Sequence, residues 1–383
     1  MPSFGRMILT ALAVSVSVLA PFCQSCWSQT VGLWGSYSNR VTDVALQNPF
    51  VHGVMVSVSW RQIQRDGEDM FNWSKVDEQI DNATAAGKDI TLVLHAGGQN
   101  TPDWVKDTQG VQLITIIDTS NTYSEKTYCQ PITVPVFWDP VFLELKKKFI
   151  AAAGKRYAAN ANISGVMVSF ANFITSDWNV PHDIDYTGKK CGIPFNQIRD
   201  WKSAGYSTGR MFAAGKETID AWAEAFPGKA LKLPIHPTHK NLEDNEDGTP
   251  ATASKLAEKI IKYGYETYPE QFYAQLNTLN AQTPHASQSR IIKADPNKDD
   301  YILRLLKEYP NRIGFQLLSA ASNGYDDNCR LNQNKIPCHP YTVLINSVKA
   351  AFSYKPRYIE LWYQDVENSS LNGILRAIFK YVR

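Results

Sequence analysis

Glu360 lies in the run Tyr358-Ile359-Glu360-Leu361-Trp362, where aliphatic side chains alternate with aromatic or acidic ones. In an extended strand this alternation sends Tyr358, Glu360 and Trp362 to one face and Ile359 and Leu361 to the other. A carboxyl between two aromatic rings loses the hydration that stabilises its charge, so it needs a chemical task or a partner. The competing role is a structural ion pair with a Lys or Arg of a neighbouring strand. Asp177 stands beside Trp178. A partly desolvated carboxyl has a raised pKa and can keep a proton to give away; the competing role is to cap a turn. Two such carboxyls, far apart in the chain but face to face in space, could cleave a glycosidic bond. One would protonate the leaving oxygen and the other would attack or activate water, at about 5 Å separation for retention and roughly 6.5–9.5 Å for inversion.

Other chemistries find less support. His236-Pro237-Thr238-His239 offers two imidazoles but no third ligand nearby, and no Cys-x-x-Cys spacing occurs, so no metal is expected. Ala96-Gly97-Gly98 is the single candidate phosphate turn, and no helical pattern follows to receive a phosphate. No cofactor is expected.

The elements that must position these residues follow from periodicity. Short apolar or β-branched runs alternate with stretches of helical period, the pattern of parallel strands joined by right-handed crossovers. Eight strands are predicted, over residues 31–37, 53–59, 90–95, 165–170, 231–236, 272–279, 313–318 and 358–362. Between them, Phe142, Leu145, Phe149 and Ala153 in one stretch, and Ile302, Leu305, Leu306 and Tyr309 in another, recur at helical spacing. Leu371, Ile374, Leu375, Ile378 and Phe379 predict a last helix that would close the chain. The expected fold is therefore α/β, a single (β/α)8 barrel of the TIM type over residues 31–383. A doubly wound open sheet shares the local pattern but would normally carry a glycine-rich phosphate turn. Residues 96–140, 171–204 and 319–340 are long loops after strand carboxyl ends, the rim where such barrels build their sites.

The stretch from Gly53 to Trp60, continuing through Gln64, Gly67 and Phe71-Asn72-Trp73 to Val76-Asp77, resembles clan A glycoside hydrolases such as β-galactosidases and cellulases, as does Thr101-Pro102-Asp103-Trp104. The layout is shared over most of the chain; the specific motifs fall within its first third. The resemblance implies an acid/base Glu directly after an Asn at the end of the fourth strand, where this chain has Asn172 and then Phe173. It implies a nucleophilic Glu at the end of the seventh strand, where this chain has Gln316. Asp177 and Glu360 are the carboxyls left to form the pair. Trp60, Trp104, Trp138, Trp178 and Trp362, at strand ends or on long loops, could stack on pyranose faces. His95, His236, Asn277, Asn172 and Gln316 could hydrogen-bond sugar hydroxyls. The expectation is a glycosidase acting on an oligo- or polysaccharide, with a carbohydrate-binding barrel that lacks turnover as the alternative.

Bulk properties agree with this class. The chain has 383 residues, is 44% hydrophobic and 20% charged, and carries a net charge of +2, without a basic stripe that would attract nucleic acid. Arg6, the apolar run 7–20 and the small, polar stretch to Thr30 have the layout of a secretory signal peptide, so residues 1–30 are expected to be removed and the protein to be secreted, monomeric and free of stable membrane association. Cys129, Cys191, Cys329 and Cys338 then remain, an even number suited to disulfides. Three pairings are open; Cys329 with Cys338, close together in one polar loop, and Cys129 with Cys191 is the favoured one.

Overall fold

A computed structural model describes residues 32–36, 41–119, 127–245, 248–251, 255–280, 301–323 and 339–381. Its strands form a closed parallel barrel: β1 (Gly32–Ser36), β2 (Gly53–Ser59), β3 (Asp89–His95), β4 (Ile163–Met167), β5 (Ala230–Pro234), β6 (Phe272–Leu279), β7 (Ile313–Leu317) and β8 (Tyr358–Trp362). Each strand pairs with the next in sequence, and β8 closes on β1 with Trp34 opposite Glu360. The expected fold class is therefore the observed one.

Strand alternation sorts the side chains into two environments. Val54, Val56, Leu92, Leu94, Val166, Leu231, Leu233, Phe315, Ile359 and Leu361 are buried in the main apolar core, where outward residues of a barrel meet its flanking helices. Helix Pro140–Tyr157 shows why these segments are helical: Asp139 caps it by accepting from the Phe142 N–H at 2.7 Å, Pro140 opens it, and Lys155 and Arg156 complement its carboxyl end. Phe142, Leu145, Phe149 and Ala153, the stripe expected from spacing, are buried. The inward residues are different in kind. Met55, Val93 and Met167 make a small apolar layer of their own, while Thr91, Lys232, Gln275, Tyr358 and Glu360 are buried polar or charged groups.

Room for this inner layer comes from glycine. A Cβ on Gly53 would lie 2.2 Å from the Trp34 ring, and one on Gly314 would lie 2.1 Å from the Tyr358 ring. Those two positions admit only hydrogen if the large rings are to occupy the barrel interior.

The strand limits differ from expectation mainly at β4, which spans 163–167 rather than 165–170. Val168 still donates to Lys232 O at 2.8 Å, but the chain then turns away to build the loop that carries Asp177. The loop 96–140 holds an antiparallel hairpin, Leu113–Ile117 with Pro131–Pro135, in which Ile114, Ile116, Ile132 and Val134 are buried. Cys129 and Cys191 are disulfide-bonded across a sequence separation of 62, tying the loop after β3 to the loop after β4. The expected Cys329–Cys338 pair and the leader 1–30 lie outside the described residues.

Candidate active site at the carboxyl ends of the strands

The loop after β4 is fixed at both ends. Asn172 Oδ1 accepts from the backbone N–H of Ile174 at 3.1 Å and of Thr175 at 3.3 Å, so this side chain shapes its own turn. The Trp178 N–H donates to Pro234 O at 2.7 Å and His236 N–H to Trp178 O at 3.0 Å, which adds Trp178 to the end of β5 as a parallel bridge with Ile235. The Trp178 ring is buried 4.5 Å from Phe170 and over Gly215, where a Cβ would come within 2.4 Å of it. Asp177 is thereby aimed into the mouth. Its Oδ1 accepts from Asn277 Nδ2 at 2.8 Å, and its Oδ2 lies 3.7 Å from His236 Nε2, with both side chains 18% exposed.

Gly97 and Gly98 belong to this construction. A Cβ on Gly98, whose φ is +52°, would lie 2.2 Å from Phe173 O, and Gln99 N–H donates to Phe173 O at 2.6 Å. A 3-10 turn, Gly98–Asn100, follows directly, and the short helix Asp103–Asp107 comes after it. The two glycines let the loops after β3 and β4 touch backbone to backbone.

His95 completes the support. Its Nε2 is 2.8 Å from Ser57 Oγ and its Nδ1 is 2.9 Å from Ser176 Oγ, the residue before Asp177. Burial pushes its pKa down to about 4, against the pull of the Asp177 charge, so the ring is neutral near pH 7 and serves one serine as donor and the other as acceptor.

Below the mouth lies Glu360, with no exposed side-chain surface. Its Oε2 accepts from Gln275 Nε2 at 2.8 Å and faces Gln316 Nε2 at 3.5 Å; its Oε1 is 3.6 Å from Lys232 Nζ. Lys232 sits between the rings of Trp34 and Tyr358, 4.1 and 3.8 Å from their centroids, and donates to Thr91 Oγ1 at 2.7 Å. Burial raises the carboxyl pKa and lowers the ammonium to about 8, and each partner opposes the other's shift. The barrel lysine weighed as Glu360's structural partner is thus present.

The expected site residues divide by where they lie. Asp177, His236, Asn277, Gln316 and Trp362 are part-exposed at or near the mouth, with Trp362 Nε1 donating to Leu317 O at 2.7 Å. Trp60, Trp138 and Trp178 are sealed in packing: Trp60 stacks on Phe149 at 5.1 Å and Trp138 meets Trp201 and Tyr206 at 5.9 and 5.4 Å. Trp104 hangs on Gln64 O at 2.7 Å, edge-on to Trp60. The rings of Trp60, Trp138 and Trp178 offer core surface rather than sugar platforms, whereas Trp104 stays partly exposed. His236 faces Asp177, and His239 stacks on His182 at 5.1 Å. Asp365 accepts from Ala321 N, Ser322 N and Ser322 Oγ at 2.9, 2.7 and 2.8 Å, and so holds the chain after β7. Lys232, Gln275, Ser57 and Ser176 were not singled out from sequence. The signal was there for Lys232, a cation at an inward position of Ala230-Leu231-Lys232-Leu233-Pro234.

No protein-family model matches the chain, and no curated protein matches it in sequence. Its fold does match solved structures. The catalytic domain of a β-amylase from Paenibacillus polymyxa superposes with a TM-score of 0.56 at 9% identity, covering 93% of this chain and 99% of that one. A cold-adapted β-galactosidase from Rahnella sp. R3 gives 0.54 at 12% identity, and a catalytic mutant of a GH42 β-galactosidase from G. stearothermophilus gives 0.52 at 10%. Each of these two matches covers 93% of this chain and 57% of the other. The fold is thus the closed eight-stranded barrel found in these glycosidases.

Proposed function

We propose that this chain acts on an oligo- or polysaccharide at the carboxyl ends of its strands and cleaves an O-glycosidic bond there, with Asp177 as the acting carboxyl. The observation that carries this reading is the placement of Asp177: it is part-exposed beyond the carboxyl end of β4, with Asn277 Nδ2 at 2.8 Å and His236 Nε2 at 3.7 Å from its two oxygens. Such a group can exchange a proton with a glycosidic oxygen or a water. Gln316 and Trp362, part-exposed at the carboxyl ends of β7 and β8, would shape the saccharide site with it. Glu360 is the second carboxyl, in an indirect place, linked to Asp177 through Gln275 and Asn277. The glycosidase barrels of similar fold support the class, and export through the leader is part of the proposal.

A second reading, a barrel that binds saccharide without turnover, is favoured by the closure of Glu360 onto Lys232. A screen of aryl glycosides and polysaccharides separates the two. The hydrolase reading expects cleavage by the wild type and a loss of about 10²–10⁴-fold in kcat in Asp177→Asn with the melting temperature retained. No cleavage, with saccharides still raising the melting temperature, gives the binding reading.

A further inference from the structure

The hydrogen bonds between the two carboxyls run in one direction. Gln275 Nε2 donates to Glu360 Oε2 and to Asn277 Oδ1, both at 2.8 Å, and Asn277 Nδ2 donates to Asp177 Oδ1 at 2.8 Å. At the other end of the same amide, Tyr358 OH donates to Gln275 Oε1 at 2.6 Å. An amide has a donor end and an acceptor end, while an ionised carboxylate only accepts. With Glu360 below it, Gln275 must point its nitrogen down and toward Asn277. Asn277 must then meet that nitrogen with its oxygen, which leaves its own nitrogen for Asp177. Glu360 Oε1 has no hydrogen-bond partner among the described residues, so a proton taken up there would still leave Oε2 an acceptor. Lys232, confined by the rings of Trp34 and Tyr358, holds Glu360 in place.

We propose that Glu360 is a positioning residue that sets the polarity of the Gln275–Asn277 amide pair, so that Asp177 always receives an N–H, the hydrogen bond that favours a carboxylate at the mouth. This deepens the reading of Asp177 as the acting carboxyl: the group begins as the one that accepts a proton or attacks. The titratable groups around Asp177 among the described residues are His236 beside it, His95 behind Ser176, and Glu360 below.

The test is the titration of Asp177 itself, read from ¹³C-labelled aspartate carboxyls and assigned with Asp177→Asn. In Glu360→Gln the new amide can donate as well as accept, the chain can reverse, and Asn277 can turn its oxygen toward Asp177. The Asp177 midpoint then rises by about one unit or more. An unchanged or lowered midpoint in folded Glu360→Gln overturns the proposal, because loss of the like charge at Glu360 would by itself lower the Asp177 midpoint, and only reversal of the amide pair raises it. If the single variant fails to fold because Lys232 is stranded, Lys232→Met/Glu360→Gln removes both charges and must show the same rise. The titration decides the matter whether or not a glycoside is cleaved. A rise in a protein that cleaves nothing keeps the amide polarity and sinks the hydrolase reading.

Discussion

Lys146 shows what a single buried charge does to this molecule. It lies on helix Pro140–Tyr157, 1% exposed, with its ammonium 5.2 Å from the Phe170 ring centroid and no hydrogen-bond partner among the described residues. Burial pushes its pKa down to about 7, whereas in the unfolded chain it has the ordinary value of about 10.4. Between those values the unfolded state binds more protons, so stability rises with pH through that window, and the full cost of the buried charge is present below pH 7. Lys146→Met should therefore raise the melting temperature at pH 6, by a stability gain on the order of 2–4 kcal/mol, and the gain should shrink toward pH 10. Thermal melts across that range check it; a gain independent of pH contradicts it. At this scale the sequence was readable only in part. The inward direction of Glu360 followed from alternation in β8, but its partner could not, because Lys232 is 128 residues away and only barrel closure brings the two strands' faces together. Trp60, Trp138 and Trp178 misled for a related reason: a Trp at a strand end or on a loop has the same local pattern whether it faces a ligand or, as Trp60 does, the packing around Phe149.

Among the elements, the contact between the loops after β3 and β4 is the one on which the site depends. Gly98 sits there in a left-handed conformation with Phe173 O where a side chain would begin. Gly98→Ala should cost on the order of 1–3 kcal/mol and displace the turn that aims Asp177, so that any turnover falls by more than the lost stability accounts for. Chemical denaturation alongside steady-state kinetics measures both, and intact turnover in a destabilised variant would show that the loop is held elsewhere. The strands at 53–59, 272–279 and 358–362 were legible to the residue, because alternation or continuous apolar runs are bounded there by clear breaks. The hairpin inside 96–140 was not read as strand, although Leu113-Ile114-Thr115-Ile116-Ile117 and Pro131-Ile132-Thr133-Val134-Pro135 both alternate. Short strands flanked by proline and set in a long polar segment carry too little period to stand out from loop.

For the whole molecule, barrel closure was legible because eight strand–helix units recur along the chain. The proposed chemistry was less so, since the resemblance implies glutamates where the chain has Phe173 and Gln316, and the candidate groups had to be inferred from what else faces inward. The Cys129–Cys191 bond ties two mouth loops together and closes a long segment of chain. Cys129→Ser/Cys191→Ser should lower stability by roughly 2–4 kcal/mol, seen as an earlier denaturant midpoint, and reductant should do the same to the wild type. Equal midpoints with and without the bond would mean the loops are fixed by packing alone. The most direct test of the account is turnover of a responsive glycoside by wild type and Asp177→Asn under identical conditions. The account predicts cleavage by the wild type and a fall of about 10²–10⁴-fold in the folded variant; cleavage by Asp177→Asn at the wild-type rate would contradict it.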